Sequence, residues 1–178
     1  MRQERFNELY KQHYRAILAF SLRRTNEPDA YDAASEVFSV AWRRIDDVPN
    51  GEMERAWLYG VARNVLSRQW RSASRLKKLV TRIGSQPIRS VPDTAVVVVQ
   101  RAEYASVVEA ASRLKAADQE ILRLAAWEAL PHSLISEVLG ISVAAVDQRL
   151  HRAKKRLAVE YREIAEPRAW PVPEEGAS

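Results

Sequence analysis

The stretch from Pro131 to Leu157, PHSLISEVLGISVAAVDQRLHRAKKRL, leaves this chain few options. Leu134, Ile135, Val138 and Leu139 are apolar at spacings of one, three and four, which predicts a short helix. Gly140 ends it, because helices commonly close on a residue in the left-handed region, which only glycine enters at little cost. Ile141 plugs the turn, and Ser142 is a good N-cap for a second helix. Along that second helix Val143, Val146, Leu150, Ala153 and Leu157 make one stripe at steps of three and four. Gln148, His151, Arg152 and Lys155 occupy its other face, beside Arg149, Lys154 and Arg156. This is the pattern of a helix-turn-helix, whose second helix enters the DNA major groove. An ordinary helical hairpin with a solvated basic face shares the apolar spacing. The turn Leu139-Gly140-Ile141-Ser142 and the clustered cations favour the DNA reading.

Charge supports a polyanion partner. The net charge of +5 over 178 residues is modest, but it is concentrated at Arg149, Arg152, Lys154, Lys155 and Arg156. Neutralising phosphates with such a cluster releases condensed counterions. The chain has no cysteine, which excludes disulfides, thiolate metal sites and cysteine nucleophiles. The N-terminal MRQERFNELYKQHY is too polar for a signal peptide, and no apolar run reaches membrane-spanning length. A soluble, cytoplasmic protein is expected. Five glycines, no strand-like alternation and abundant Ala, Leu, Arg and Glu predict an all-α chain. Val96 to Val99 is β-branched but lies in a helical neighbourhood, and is read as helix.

Along the chain, Phe6, Leu9, Tyr10, His13, Tyr14, Ile17 and Leu18 predict an amphipathic helix over 4–24. Asn26 can cap the next helix and Pro28 suits its first turn, over 27–45 with Ala30, Ala34, Val37, Phe38, Ala41 and Ile45 inward. Asp46 to Gly51 is a loop carrying the Asn50-Gly51 turn signal. A third helix is predicted over 53–75. The loss of periodicity and the Gly84, Pro87 and Pro92 breaks between 83 and 94 indicate a linker. Asp93 or Thr94 can cap a helix reaching Leu114, and Asp118 opens the next. These signals predict two small helical domains, 1–78 and 95–165, joined by a flexible linker, 79–94. The tail 166–178 is expected to be irregular.

Two constellations lie in the first domain. Asp29, Asp32 and Glu36, three and four apart, share a helix face. They suit a divalent cation, a solvated acidic face or a docking face for a basic protein surface. Since no motif supplies further ligands, neither a metal nor a cofactor is expected. Arg55 to Arg75 interleaves Trp57, Tyr59 and Trp70 with Arg55, Arg63, Arg68, Arg71 and Arg75. Rings and cations together suit single-stranded nucleic acid, whose bases stack and whose phosphates need charge. The alternative is that Trp57 and Tyr59 are simply core, and Trp57 stands on the apolar side of the helix with Met53, Val61 and Val65.

At this point the chain resembles the RNA polymerase sigma factors of extracytoplasmic-function (ECF) type within the sigma-70 family. The matching motifs are Phe6, Leu9, Tyr10 and His13; DAYDAASEVFSVAWRR, 29–44; AWLYGVARN, 56–64; and LGISVAAVDQRLHRAKKRL, 139–157. The resemblance implies a promoter-specificity subunit, not an enzyme, whose partners are core RNA polymerase and promoter DNA. Asp29, Asp32, Glu36 and Phe38 would dock on the β′ clamp helices. Asn50, Arg55, Trp57, Tyr59, Arg63, Asn64 and Arg71 would hold melted minus-ten DNA. Ser142, Ala145, Gln148, Arg149, His151, Arg152 and Lys155 would meet the minus-thirty-five element. The linker would run along the polymerase, β subunit included, toward the RNA exit path. The family commonly has an anti-sigma partner that occludes both domains.

Some positions depart from the family pattern. An acidic residue is usual where Tyr31 stands, glutamine where Ser35 stands, and aspartate where Arg68 stands. The usual Thr-Val-Lys of the recognition helix is Ala145-Val146-Asp147, which removes a hydroxyl and reverses a charge. Asp147 would either weaken backbone binding or accept from a cytosine amino group. The competing reading is a stand-alone helix-turn-helix regulator that never joins the polymerase.

Overall fold

The structure is a computed structural model that describes residues 1–81 and 100–165, with side chains at 1–72 and 105–165. It is all-α among the described residues: α1 (Arg2–Leu22), α2 (Glu27–Arg43), a 3-10 turn (Ile45–Asp47), α3 (Glu52–Thr81), α4 (Gln100–Arg113), α5 (Ala116–Ala126), α6 (His132–Leu139) and α7 (Val143–Ala165). Helix α3 runs six residues beyond its predicted end and takes in the first residues assigned to the linker. Val96 to Val99, the rest of the linker and the tail lie outside the described residues.

Packing groups the helices into two units, one of α1–α3 with α6, the other of α4, α5 and α7. In the first, α2 is the central element. Ala30, Ala33, Ala34 and Ala41 are fully buried with Val37, and such small side chains let neighbouring helices approach closely. Ile17 and Phe20 of α1, and Leu58, Tyr59, Ala62 and Leu66 of α3, complete that core. Asn26 caps α2 as its sequence predicts, accepting from the Asp29 amide at 3.0 Å, with Pro28 in the first turn. Helix α6 lies against α3 in this unit, with Ile135 and Val138 buried.

In the second unit α7 packs against both α4 and α5. Val146, Leu150 and Ala153 of its predicted stripe are buried, with Ala110, Ile121 and Leu124. Arg156 pairs with Asp118, whose side chain is only 12% exposed, so this cation serves to hold α7 to α5.

The turn at Gly140 forms as expected. Its φ of 64° is left-handed, and the Ile141 amide donates to the Ser136 carbonyl at 3.1 Å, satisfying an orphan helix-end acceptor. A Cβ at Gly140 would meet nothing within 4 Å, so the backbone alone sets the cost of replacing it. Gly140→Ala is expected to lower stability by about 1–2 kcal/mol, read as an earlier urea midpoint at unchanged m-value. A midpoint equal to that of the wild type would contradict this account of the turn.

Candidate functional site

The candidate residues form three surfaces, beginning with the outer face of α2. Asp29 is drawn back to the helix end: Asn26 donates to its Oδ2 at 2.9 Å while accepting from its amide, a reciprocal cap. Glu36 forms an ion pair with Arg68 of α3, their side chains 36% and 58% exposed. Asp32 is exposed and has no ion-pair partner among the described residues. With Asp29 turned to a cap and Glu36 to a guanidinium, the trio does not converge as a cation site. Among the described residues no group of three such side chains could hold a metal. Phe38 does not present a docking surface of its own, being 3% exposed.

The ring of Phe38 instead floors an aromatic groove that the sequence reading missed. Tyr10 meets it edge-on at 4.8 Å and stacks on Tyr14 at 4.9 Å, while Phe6 meets Trp42 edge-on at 5.2 Å. The groove is open, about 610 Å³, and Tyr10 and Trp42 remain 42% and 39% exposed. Ser35 and Ser39 line it from α2, on the same face as Asp32 and Glu36 by their spacing. The available signal was an excess of aromatics: Phe6, Tyr10 and Tyr14 recur every four residues opposite Phe38 and Trp42. An ordinary buried stripe would be mostly aliphatic.

The second surface is the α2–α3 connection with the exposed side of α3. Val48 is buried, Asn50 exposed, and Gly51 takes a φ of 69°, as the Asn-Gly signal predicts. The connection is fastened to α1. Arg5 donates through Nη2 to the Val48 carbonyl and, at 2.9 Å, to Asn50 Oδ1. His13 Nε2 and Glu54 Oε2 are 3.2 Å apart at the start of α3. Arg63, Asn64 and Arg71 are exposed along α3, as is Trp70. Trp57 is half-buried, with the Arg44 guanidinium 5.7 Å from its ring centre.

Tyr59 has to be moved from the DNA surface to the core. It is 1% exposed, stacked on Phe20 at 4.7 Å, and its hydroxyl accepts from Arg55 Nε at 3.2 Å. Arg55 is correspondingly half-buried against it. The sequence places Trp57, not Tyr59, on the apolar side of this helix with Met53, Val61 and Val65, whereas packing turns Ala56, Tyr59, Ala62 and Leu66 inward.

The third surface is α7. Ser142, Gln148, Arg149, His151, Arg152 and Lys155 are exposed and Ala145 partly so. Asp147 is also exposed. The Arg152 Nε donates back to the Gln148 carbonyl at 3.2 Å, which orients its guanidinium along the helix. The arc from 144 to 155 is thus open to solvent except at Val146, Leu150 and Ala153, which are buried.

Residues 9–76 match the family model described as Sigma-70 region 2, and residues 104–157 that of Sigma-70, region 4. Together they cover more than half of the chain. The RNA polymerase sigma factor NccH of Alcaligenes xylosoxydans xylosoxydans is 29% identical over 157 residues, covering 85% of this chain and 84% of that protein. The ECF RNA polymerase sigma factor SigL of Mycobacterium tuberculosis is 28% identical over 160 residues, 88% of each. The sigma factor RpoE of Bartonella quintana, solved with the anti-sigma factor NepR, shares the fold. It has a TM-score of 0.67 at 19% identity over 92% of this chain and 98% of that one. With both regions present in family order and relatives matched over most of their length, the chain belongs to the sigma-70 family of RNA polymerase sigma factors, in the extracytoplasmic-function group.

Proposed function

We propose that this sigma subunit divides promoter recognition among its three surfaces. The outer face of α2 docks on the β′ clamp helices of core RNA polymerase. The α2–α3 connection and exposed α3 hold the melted minus-ten strand, and α7 enters the major groove at the minus-thirty-five element. Residues 1–78 and 95–165 serve as the two functional modules. The region 4 match runs unbroken through α5, α6 and α7, which supports treating the second as one. The observation that carries the reading is α7, an exposed cationic arc directly after a left-handed glycine turn. Phosphodiester chemistry belongs to the polymerase. An anti-sigma partner, like the one bound to RpoE, is included in the proposal, as is a cytoplasmic location. No described helix is long and apolar enough to cross a membrane.

Asp32 and the aromatic groove support docking on α2. Exposed rings beside an acidic side chain offer apolar contact area together with charge complementarity for a basic helix. The test is reconstitution with core polymerase, in which a holoenzyme giving promoter-dependent transcripts is expected. Failure to assemble would end the reading.

Arg68 adds a restraint on this surface. A cation here pairs with Glu36 and competes with any basic group on the polymerase. Exposed ion pairs contribute at most about 1 kcal/mol, so Arg68→Ala is expected to tighten core binding by no more than about fivefold. Weaker binding in a titration of labelled core would show that Arg68 itself contacts the polymerase.

A further inference from the structure

We propose that Arg5 is a specificity-determining positioning residue, which orients the Asn50 amide so that its NH₂ group is presented to a base acceptor in the melted strand. This rests on the minus-ten reading of the α2–α3 connection given above. An asparagine amide carries an acceptor and two donor hydrogens, and its two ends are easily interchanged. Arginine removes that ambiguity because it only donates, so the Asn50 atom facing Arg5 Nη2 at 2.9 Å is the oxygen. The opposite end of the amide, exposed to solvent, is then Nδ2, from which no hydrogen bond is made among the described residues. The same Arg5 nitrogen donates to the Val48 carbonyl, so the backbone ahead of Asn50 and its side chain are held by one group.

The surrounding geometry makes the connection rigid enough for this to matter. Val48 is 3% exposed and extended, as suits a residue before proline. Gly51 turns the chain in the left-handed region, and the Glu54 amide donates to its carbonyl at 3.1 Å. Arg2 donates to the carbonyls of Trp42 and Arg43 at 3.3 and 3.4 Å, and His13 holds Glu54. Asn50 is therefore a donor fixed at the tip of a braced loop. It pairs with a ring nitrogen or carbonyl oxygen of an unstacked base and not with an exocyclic amino group. Free rotation of the amide would let it serve either kind of base edge and would discriminate less.

The test uses holoenzyme and a promoter library randomised across the minus-ten element, with transcripts counted by sequence. Arg5→Ala is expected to flatten the preference at one position roughly tenfold, within the range of one good base contact. Asn50→Asp keeps an oxygen for Arg5 but replaces the donor with an acceptor. It is expected to shift preference at that same position toward amino-bearing bases, again by roughly tenfold. A uniform loss across the library from either variant overturns the proposal, as do effects at two different positions. Should Arg5→Ala fail to assemble, Asn50→Asp reads the position alone, and an unchanged preference there is equally fatal. Wild-type holoenzyme is the control that separates the levels. Without promoter-dependent transcripts from it, the minus-ten reading falls and takes this inference with it.

Discussion

Tyr59→Ala is expected to destabilise the protein by about 3–5 kcal/mol, the cost of emptying a well-packed aromatic site. The Tyr59 ring is 1% exposed and stacked on Phe20, so its removal leaves a cavity between α1 and α3 that neither helix can close without moving. It also removes the acceptor to which Arg55 Nε donates, the Tyr59 hydroxyl. The measurement is urea denaturation followed by circular dichroism. Trp57 provides the contrast. It is half-buried, and a base stacked on it would contribute about 1–3 kcal/mol to strand binding. Trp57→Ala is therefore expected to weaken promoter opening more than it lowers stability. If Tyr59→Ala kept its stability and lost only promoter opening, the assignment of Tyr59 to the core would be wrong.

Neutralising α7 is the other large effect. Arg149→Gln, Arg152→Gln and Lys155→Gln combined are expected to reduce the salt dependence of minus-thirty-five binding by about three units of log–log slope, about one per phosphate contact. Affinity should fall by a similar factor on every sequence, because phosphates carry no base identity. The helix should persist, since Val146, Leu150 and Ala153 hold it and are untouched. Gln148→Ala should behave differently, changing preference among sequences with little change in slope. Titration of fluorescent duplex at four salt concentrations distinguishes the two. A triple variant with an unaltered slope would remove α7 from the phosphate backbone. Asp147→Lys in the same assay separates its two readings, because a uniform gain on all sequences would show a repelled backbone and not a cytosine contact.

Most of the helices were legible in the chain because their signals are local. The Asn26 cap, the Pro28 first turn, the Gly51 and Gly140 reversals and the α7 stripe each lie within a few residues, where φ, ψ and hydrogen bonds are decided. The extra turns of α3 were harder to read. The basic run RSASRLKK obscures the pattern, although Leu76 within it and Leu79 and Val80 beyond it keep helical spacing, and the helix continues through them to Thr81. The aromatics of α3 were hardest to assign, because the periodic stripe is broad. A helical stripe spans roughly 100°, and residues at its edge go inside or outside according to what packs on them. Tyr59 went inside and Trp57 halfway, while Phe38 is buried as its place on the inward face predicts.

The sequence by itself determined an all-α chain, its helix-turn-helix, the cationic face of α7 and the family to which these belong. Their causes are short-range, and the cations of α7 needed no partner to be placed on its outer face. Tertiary structure alone decided which charges are available for binding. Arg68 meets Glu36, Arg156 meets Asp118, and Arg5 meets Asn50 across separations that no spacing rule reports. Each of these pairings depends on two helices, or a helix and a loop, being brought within ion-pair or hydrogen-bond distance by the burial of other residues. A periodic sequence specifies the faces of a helix, but packing selects their neighbours.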